Sequence, residues 1–100
     1  MKKIFKFKYE EKEGFLSVVE KSDTYYALVE KNTPKIEEAV KTHKMLISFE
    51  VKTPNFEEVD VNVIYDTKLI KEVYDQLEKD KNLYFKVLDD SLCVLEINKP

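Results

Sequence analysis

The sequence predicts a single α+β domain, mainly of antiparallel strands, with two short helices in the order βββ-α-ββ-α-ββ. Several short segments alternate apolar and polar residues, which is the period of a half-buried strand. Two other segments have apolar residues at helical spacing. The 100 residues, 43% of them apolar, suffice for one hydrophobic core and not for two, so we expect residues 1–100 to form one domain.

The residue pattern of the N-terminal part predicts three antiparallel strands, over residues 3–9, 15–19 and 25–29. In the first, Phe5, Phe7 and Tyr9 lie on one side and lysines on the other. A charged turn that ends at Gly14 separates the first two strands, and Ser22-Asp23 is a turn signal before the third.

The first helix is predicted over residues 34–42. Thr33 supplies a capping hydroxyl, and Pro34 occupies the first helical position, where proline is well tolerated. Its apolar residues recur at helical spacing: Ile36, Ala39 and Val40. A buried fourth strand follows over residues 45–51, and Pro54 ends it.

The fifth strand, residues 59–65, alternates most clearly, with inward Val59, Val61, Val63 and Tyr65. Asp66 or Thr67 then caps a second helix with one apolar stripe: Leu69, Ile70, Val73, Tyr74 and Leu77. Two strands, residues 83–88 and 92–97, close the chain around an Asp89-Asp90 turn. Short connections between antiparallel strands favour a curled sheet or small barrel, with the helices at its ends or openings.

The charges exclude some function classes. Seventeen basic and 20 acidic residues give a net charge of −3, and all the basic residues are lysines. We therefore expect no nucleic-acid partner, because phosphate neutralisation needs a surplus of basic side chains. No apolar run approaches the ~20 residues of a membrane-spanning helix. The single cysteine, Cys93, indicates a reducing compartment, and we expect a cytoplasmic protein.

Few residues in the chain can carry chemistry. One histidine and one cysteine do not make a zinc site. We expect Cys93 to be a small buried hydrophobe and His43 to lie at a helix end on the surface. Gly14 is the one glycine, so the chain has no glycine-rich phosphate loop.

The remaining candidate is the segment that leads from the third strand into the first helix. This segment places a hydroxyl and two ammonium groups at a helix N-terminus, where a phosphate can bind. Its candidate residues are Lys31, Asn32, Thr33 and Lys35. The alternative is ordinary capping by Thr33, with both lysines in water.

This order of elements, together with residues 28–35, resembles the FMN-binding split β-barrel proteins of the pyridoxamine 5′-phosphate oxidase-like group. The fold that the resemblance implies is a split β-barrel with two short helices. The later elements of the family also have counterparts here. They are residues 45–49, the long strand from Val59 to Asp66 with the helix after it, and the closing hairpin. Thr33 and Lys35 match its hydroxyl-spacer-lysine element.

The resemblance implies a homodimeric flavoprotein with FMN at the subunit interface. The resemblance also implies that the cofactor phosphate binds where the third strand ends and the first helix begins. The residues at this place are Lys31, Asn32, Thr33 and Lys35. A small flavin-dependent oxidoreductase is the activity that it implies.

Two other hypotheses remain open. One is a flavin-free binding or interaction module that keeps the barrel and the dimer, or binds another small anionic or planar ligand. It is favoured by Val29 and Glu30, which stand where the family has threonine and glycine, and by a second strand without a basic residue. An unrelated α+β domain with the same order of elements is the third hypothesis.

Overall fold

The computed structural model describes residues 2–77 and 91–98, which form a closed antiparallel barrel of six strands with two helices. The elements are β1 (Lys2–Tyr9), β2 (Lys12–Lys21), β3 (Thr24–Glu30), α1 (Pro34–Thr42), β4 (Lys44–Ser48), β5 (Glu57–Ile64), α2 (Thr67–Gln76) and β6 (Leu92–Asn98). The order around the barrel is β1-β2-β3-β6-β5-β4, and β1 closes it by pairing with β4. The predicted mainly antiparallel α+β barrel with two helices is confirmed. The strand predicted over residues 83–88 and its Asp89-Asp90 turn lie outside the described residues.

Two tight turns join the first three strands. The register of β1 and β2 leaves only Glu10-Glu11 unpaired, and that of β2 and β3 leaves only Ser22-Asp23. Glu10 and Ser22 both have φ 57°, in the left-handed region that tight hairpin turns use. The turn predicted at Ser22-Asp23 is confirmed, whereas the turn predicted to end at Gly14 is wrong.

Gly14 lies inside β2, opposite Phe7 of β1. A Cβ atom at Gly14 would lie 2.4 Å from Cζ of the Phe7 ring, far inside van der Waals contact. The glycine therefore makes room for an aromatic ring that crosses from the neighbouring strand. Sequence alone suggested a turn because glycine is common in turns, but here the side chain opposite requires it.

The helix α1 packs onto the barrel core with a narrow face. It begins at Pro34 and ends at Thr42, as predicted. Ile36 and Ala39 are both buried in the core that fills the barrel. Val40 is 44% exposed, so its predicted place on the apolar face is wrong, because only one side of this short helix meets the barrel.

The second helix packs outside the barrel. Asp66 is its cap, since its side chain accepts a hydrogen bond from the Lys68 N–H at 2.9 Å. The predicted apolar stripe is confirmed, with Ile70 and Val73 buried against a second cluster of side chains from β2 and β6. The sequence predicts helices at the ends or openings of the barrel, and α2 instead covers the outer face of the sheet.

This outer helix explains why β6 is almost uniformly apolar. Cys93 and Leu95 point into the barrel core, whereas Leu92 and Val94 point outward against α2. All four are at most 2% exposed. A strand covered on both faces needs no polar alternation, so β6 has a continuous apolar run.

The ends of β4 and β5 differ from the predicted ones. The buried Ser48 hydroxyl donates to the Glu50 carbonyl at 2.7 Å and accepts the Asn55 N–H at 2.9 Å. These bonds turn the chain away, so β4 ends at Ser48 rather than at residue 51. The inward alternation of β5 holds through Val63, but Tyr65 lies past the strand end and is 54% exposed.

We predict that Gly14→Ala lowers the free energy of unfolding by about 1–3 kcal/mol, because the added methyl group forces the Phe7 ring to move. Without that clash, Gly→Ala at an ordinary backbone angle is expected to stabilise a protein. Denaturant unfolding of the purified variants measures the effect.

The matched control is Ser17→Ala, at an exposed position of the same strand, which should change stability by less than about 0.5 kcal/mol. A Gly14→Ala protein as stable as the wild type would contradict the proposed role of this glycine.

Candidate functional site

A cleft of about 430 Å³ lies between the β1–β2 hairpin and the start of α1, and we call it the hairpin cleft. Its lining includes two aromatic rings, a hydroxyl and two ammonium groups, from Phe7, Tyr9, Lys12, Thr33, Pro34 and Lys35. Glu10 and Glu13 complete the wall. Two lysines and two glutamates leave the cleft with balanced formal charge.

A second cleft, of about 420 Å³, shares Tyr9, Glu10 and Lys35 with the first and extends along α1 and β4, and we call it the helix cleft. Lys44 lies on its wall and forms an ion pair with Asp60 at 2.6 Å. Because Tyr9 and Lys35 line both clefts, they form the boundary between them.

The Lys35 side chain is half-buried at this boundary. Its Nζ lies 4.8 Å from the centroid of the Phe7 ring, a cation–π distance. Burial lowers the pKa of Lys35, because desolvation penalises the charged amine. A negative charge on Cys93 would act in the opposite direction, as the weaker effect.

Tyr9 is the last residue of β1, so its ring stands beside the turn at Glu10 and beside α1. Partial burial raises the pKa of the Tyr9 phenol, and the carboxylates of Glu10 and Glu38 raise it further. Its hydroxyl therefore stays protonated at neutral pH and can donate a hydrogen bond to a ligand in either cleft.

The structure divides the four residues that the sequence singled out. Thr33 and Lys35 lie together in the hairpin cleft. Asn32 has the left-handed φ of 68° and lines a third cleft, of about 300 Å³, which Tyr65 also lines. The Nζ of Lys31 lies 6.0 Å from the Tyr65 ring centroid. Half of the predicted set therefore faces the hairpin, and the other half lies near Tyr65.

The predicted capping hydroxyl at Thr33 is wrong. Thr33 occupies the N-cap position, but its hydroxyl donates to the Glu30 carbonyl at 3.3 Å and makes no cap bond. The N–H groups of the two residues after Lys35 both donate to the Thr33 carbonyl at 3.0 Å. Pro34 has no N–H, so the first turn of α1 has only the Lys35 N–H left for a ligand.

Cys93 and His43 lie where the sequence predicted them. Cys93 is fully buried in the barrel core, and this burial raises the pKa of its thiol to about 11, although the charges of Lys31 and Lys35 oppose the shift. His43 is exposed in left-handed conformation at the C-terminus of α1, and its N–H donates to the Ala39 carbonyl at 2.9 Å.

Sequence reasoning missed Phe7, Tyr9 and Lys12 as cleft residues. The alternation of the first strand already placed Phe7 and Tyr9 on one side. What no local pattern shows is that β1 pairs with β4, which brings the end of β1 beside α1.

No family model, curated protein or solved structure matches this chain. The resemblance to the FMN-binding split barrels therefore stays a prediction. Within residues 2–77 and 91–98, no helix has the length and apolarity to cross a bilayer. The same residues contain no group of three side chains placed to hold a metal ion.

We predict that the stability contributed by Cys93 falls between pH 9 and 11, because the ordinary pKa of a thiol is 9.0 and the folded protein raises it to about 11. Above pH 9 the unfolded chain loses this proton while the folded chain keeps it, so alkali favours unfolding. The measurement is the free energy of unfolding of wild type and of Cys93→Ala across this range.

The difference in stability between the two proteins should be constant below pH 8, which serves as the baseline, and should shrink as the pH approaches 11. A difference that does not change with pH would contradict the raised pKa.

Proposed function

We propose that this chain is an FMN-binding barrel of the pyridoxamine 5′-phosphate oxidase-like group, and that FMN binds in the hairpin cleft. The observation that carries this proposal is the meeting of aromatic rings and ammonium groups in one cleft at the start of α1. Small-molecule sites in proteins are concave, mainly apolar, and contain a few placed polar groups.

The residues of the hairpin cleft fit a flat ring with an anionic tail. One face of the Phe7 ring is occupied by the Lys35 ammonium, and the Gly14 backbone also lies against this ring, so Tyr9 is the ring more open to a ligand. A phosphate has the ammonium groups of Lys12 and Lys35 within the same cleft. These lysines act as point charges, since the chain has no arginine to grip a phosphate in two places.

The roles of the chain's own residues follow from this placement. Lys35 neutralises the phosphate and offers its backbone N–H at the start of α1, where the helix dipole is positive. Tyr9 orients the ring of the ligand and donates a hydrogen bond. FMN supplies hydride or single-electron transfer when bound, so a small flavin-dependent oxidoreductase is the activity that we propose.

We also propose a homodimer, with the outer face of β1 and β2 as the contact. Phe7 of the hairpin cleft packs against the barrel core from the other face of β1, so this contact differs from the interface beside FMN that the resemblance implies. Ile4 is 56% and Phe15 is 65% exposed, which is unusual for two large apolar side chains on neighbouring strands. Lys6 lies between them, with its Nζ 5.4 Å from the Phe15 ring and 2.8 Å from Glu13. A twofold axis sets the same patch of two copies against each other, and a patch that carries both charge signs can be complementary to itself.

We place the protein in the cytoplasm. Its single cysteine is a buried free thiol, which agrees with a reducing compartment.

A second candidate function, a flavin-free binding module, is favoured by two observations. The Thr33 hydroxyl is engaged with Glu30, and the carboxylates of Glu10 and Glu13 line the hairpin cleft, where they repel a phosphate. In this case the cleft binds a ligand without strong negative charge.

We predict that the wild-type protein binds FMN and that Lys35→Ala weakens binding about tenfold, because one ammonium contact with a phosphate is lost. Quenching of flavin fluorescence during titration measures both affinities. Riboflavin has the same ring and no phosphate, so its weaker binding should be unaffected by Lys35→Ala.

The control variant is Lys41→Ala, an exposed lysine in the last turn of the same helix, which should bind FMN as the wild type does. Wild-type protein that takes up no FMN overturns the flavin proposal and leaves the flavin-free module. Equal FMN affinity of wild type and Lys35→Ala removes Lys35 from the site.

We predict that Phe15→Glu converts the dimer into a monomer without unfolding it, because an exposed phenylalanine contributes to the contact and not to the core. Solution mass by light scattering measures the state. Val40→Glu, at an exposed apolar position on α1, should remain dimeric. A monomeric wild-type protein would contradict this part of the proposal.

A further inference from the structure

The environment of the Lys35 amine differs from that of an ordinary surface lysine. Its side chain is half-buried, lines both the hairpin cleft and the helix cleft, and places Nζ 4.8 Å from the centre of the Phe7 ring. Gly14 lies against the same ring, where any side chain would collide with it. The amine is therefore held at a defined position on the wall of two open clefts.

In the part of the chain that the structure describes, the charged groups around this amine do not pair with it. Among the ion pairs of the described residues, none includes Lys35. Other ionisable side chains line the same two clefts: Lys8, Tyr9, Glu10, Lys12, Glu13, Glu38, Lys44 and Glu58. The buried Cys93 thiol interacts with Lys35 electrostatically. Among the described residues, Lys35 therefore lacks the carboxylate partner that commonly holds a lysine in its charged form.

A lysine reacts as a nucleophile only when its amine is neutral. Desolvation in an apolar pocket favours the neutral amine and is one way by which proteins activate lysine. Burial lowers the pKa of Lys35, which increases the fraction of neutral amine at neutral pH. The position in a cleft provides access, and the desolvation provides reactivity.

We infer that Lys35 is a covalent site for small aromatic aldehydes, which it binds as imines in the hairpin cleft. The lone pair on Nζ attacks the carbonyl carbon and forms a carbinolamine, with the proton moving from nitrogen to oxygen. Loss of one water molecule then gives the carbon–nitrogen double bond. The overall change, amine plus aldehyde to imine plus water, needs no oxidant or reductant.

The rest of the cleft favours an aromatic aldehyde over an aliphatic one. Tyr9 and Pro34 supply a ring and an apolar surface beside Lys35, within a volume of about 430 Å³. The phenol of Tyr9 stays protonated at neutral pH and can donate a hydrogen bond to the aldehyde oxygen or to an ortho substituent. This reactivity does not depend on flavin and extends the proposed function.

The test uses the wild-type protein with salicylaldehyde and sodium cyanoborohydride, which reduces the imine to a stable secondary amine. Peptide mass mapping at low conversion then gives the relative rate at each of the 17 lysines. Lys35 should be labelled about threefold or more faster than Lys41, the exposed lysine of the same helix. Labelling of Lys35 at or below the rate of Lys41 would overturn the inference.

Two variants complete the test. Lys35→Arg keeps the positive charge and cannot form an imine, so the fast-labelled peptide should disappear, whereas Lys41→Arg should keep it. Far-ultraviolet circular dichroism shows that both variants are folded. Fast labelling of Lys35 in a protein that binds no FMN would support this inference and overturn the flavin proposal. Equal labelling of all lysines in a protein that binds FMN would overturn this inference and support the flavin proposal.

Discussion

The pairing of β1 with β4 is the interaction on which the rest of the structure depends. It involves only Lys6–Lys8 with Leu46–Ser48, yet it closes the barrel. Because α1 lies directly before β4 in the chain, this pairing also brings the end of β1 beside the helix. Both clefts and the position of Lys35 follow from it. A sheet left open at this point would have neither the enclosed core nor the site.

Packing on both faces of the sheet stabilises this closed arrangement. The barrel interior and the outer layer beneath α2 are separate clusters, and β6 contributes side chains to both. Burial of apolar area is worth about 25 cal/mol per Å², so a strand buried on two faces is among the largest contributors to stability. Cys93 belongs to the barrel interior, where its buried thiol acts as a small apolar side chain.

Local patterns were sufficient to predict most of the elements but few features of the site. The boundaries of α1 followed from Pro34 and helical spacing, and the alternation of β5 was correct over most of its length. Three errors have one cause, since Gly14, Ser48 and Thr33 each act through a partner that periodicity does not show. Gly14 accommodates a ring on the next strand, Ser48 ties down a loop, and the Thr33 hydroxyl bonds back to the preceding strand. The composition of the cleft depends on long-range closure, for which the sequence carries no local signal.

Cross-strand nuclear Overhauser effects between Lys6–Lys8 and Leu46–Ser48 test the closure most directly. The register predicts contacts across the Phe7 and Ile47 pair, together with contacts from Tyr9 to the first turns of α1. Their observation would establish the closed barrel and the cleft beside it. A spectrum in which β1 shows contacts to β2 alone would contradict the closed barrel and, with it, the site at Lys35.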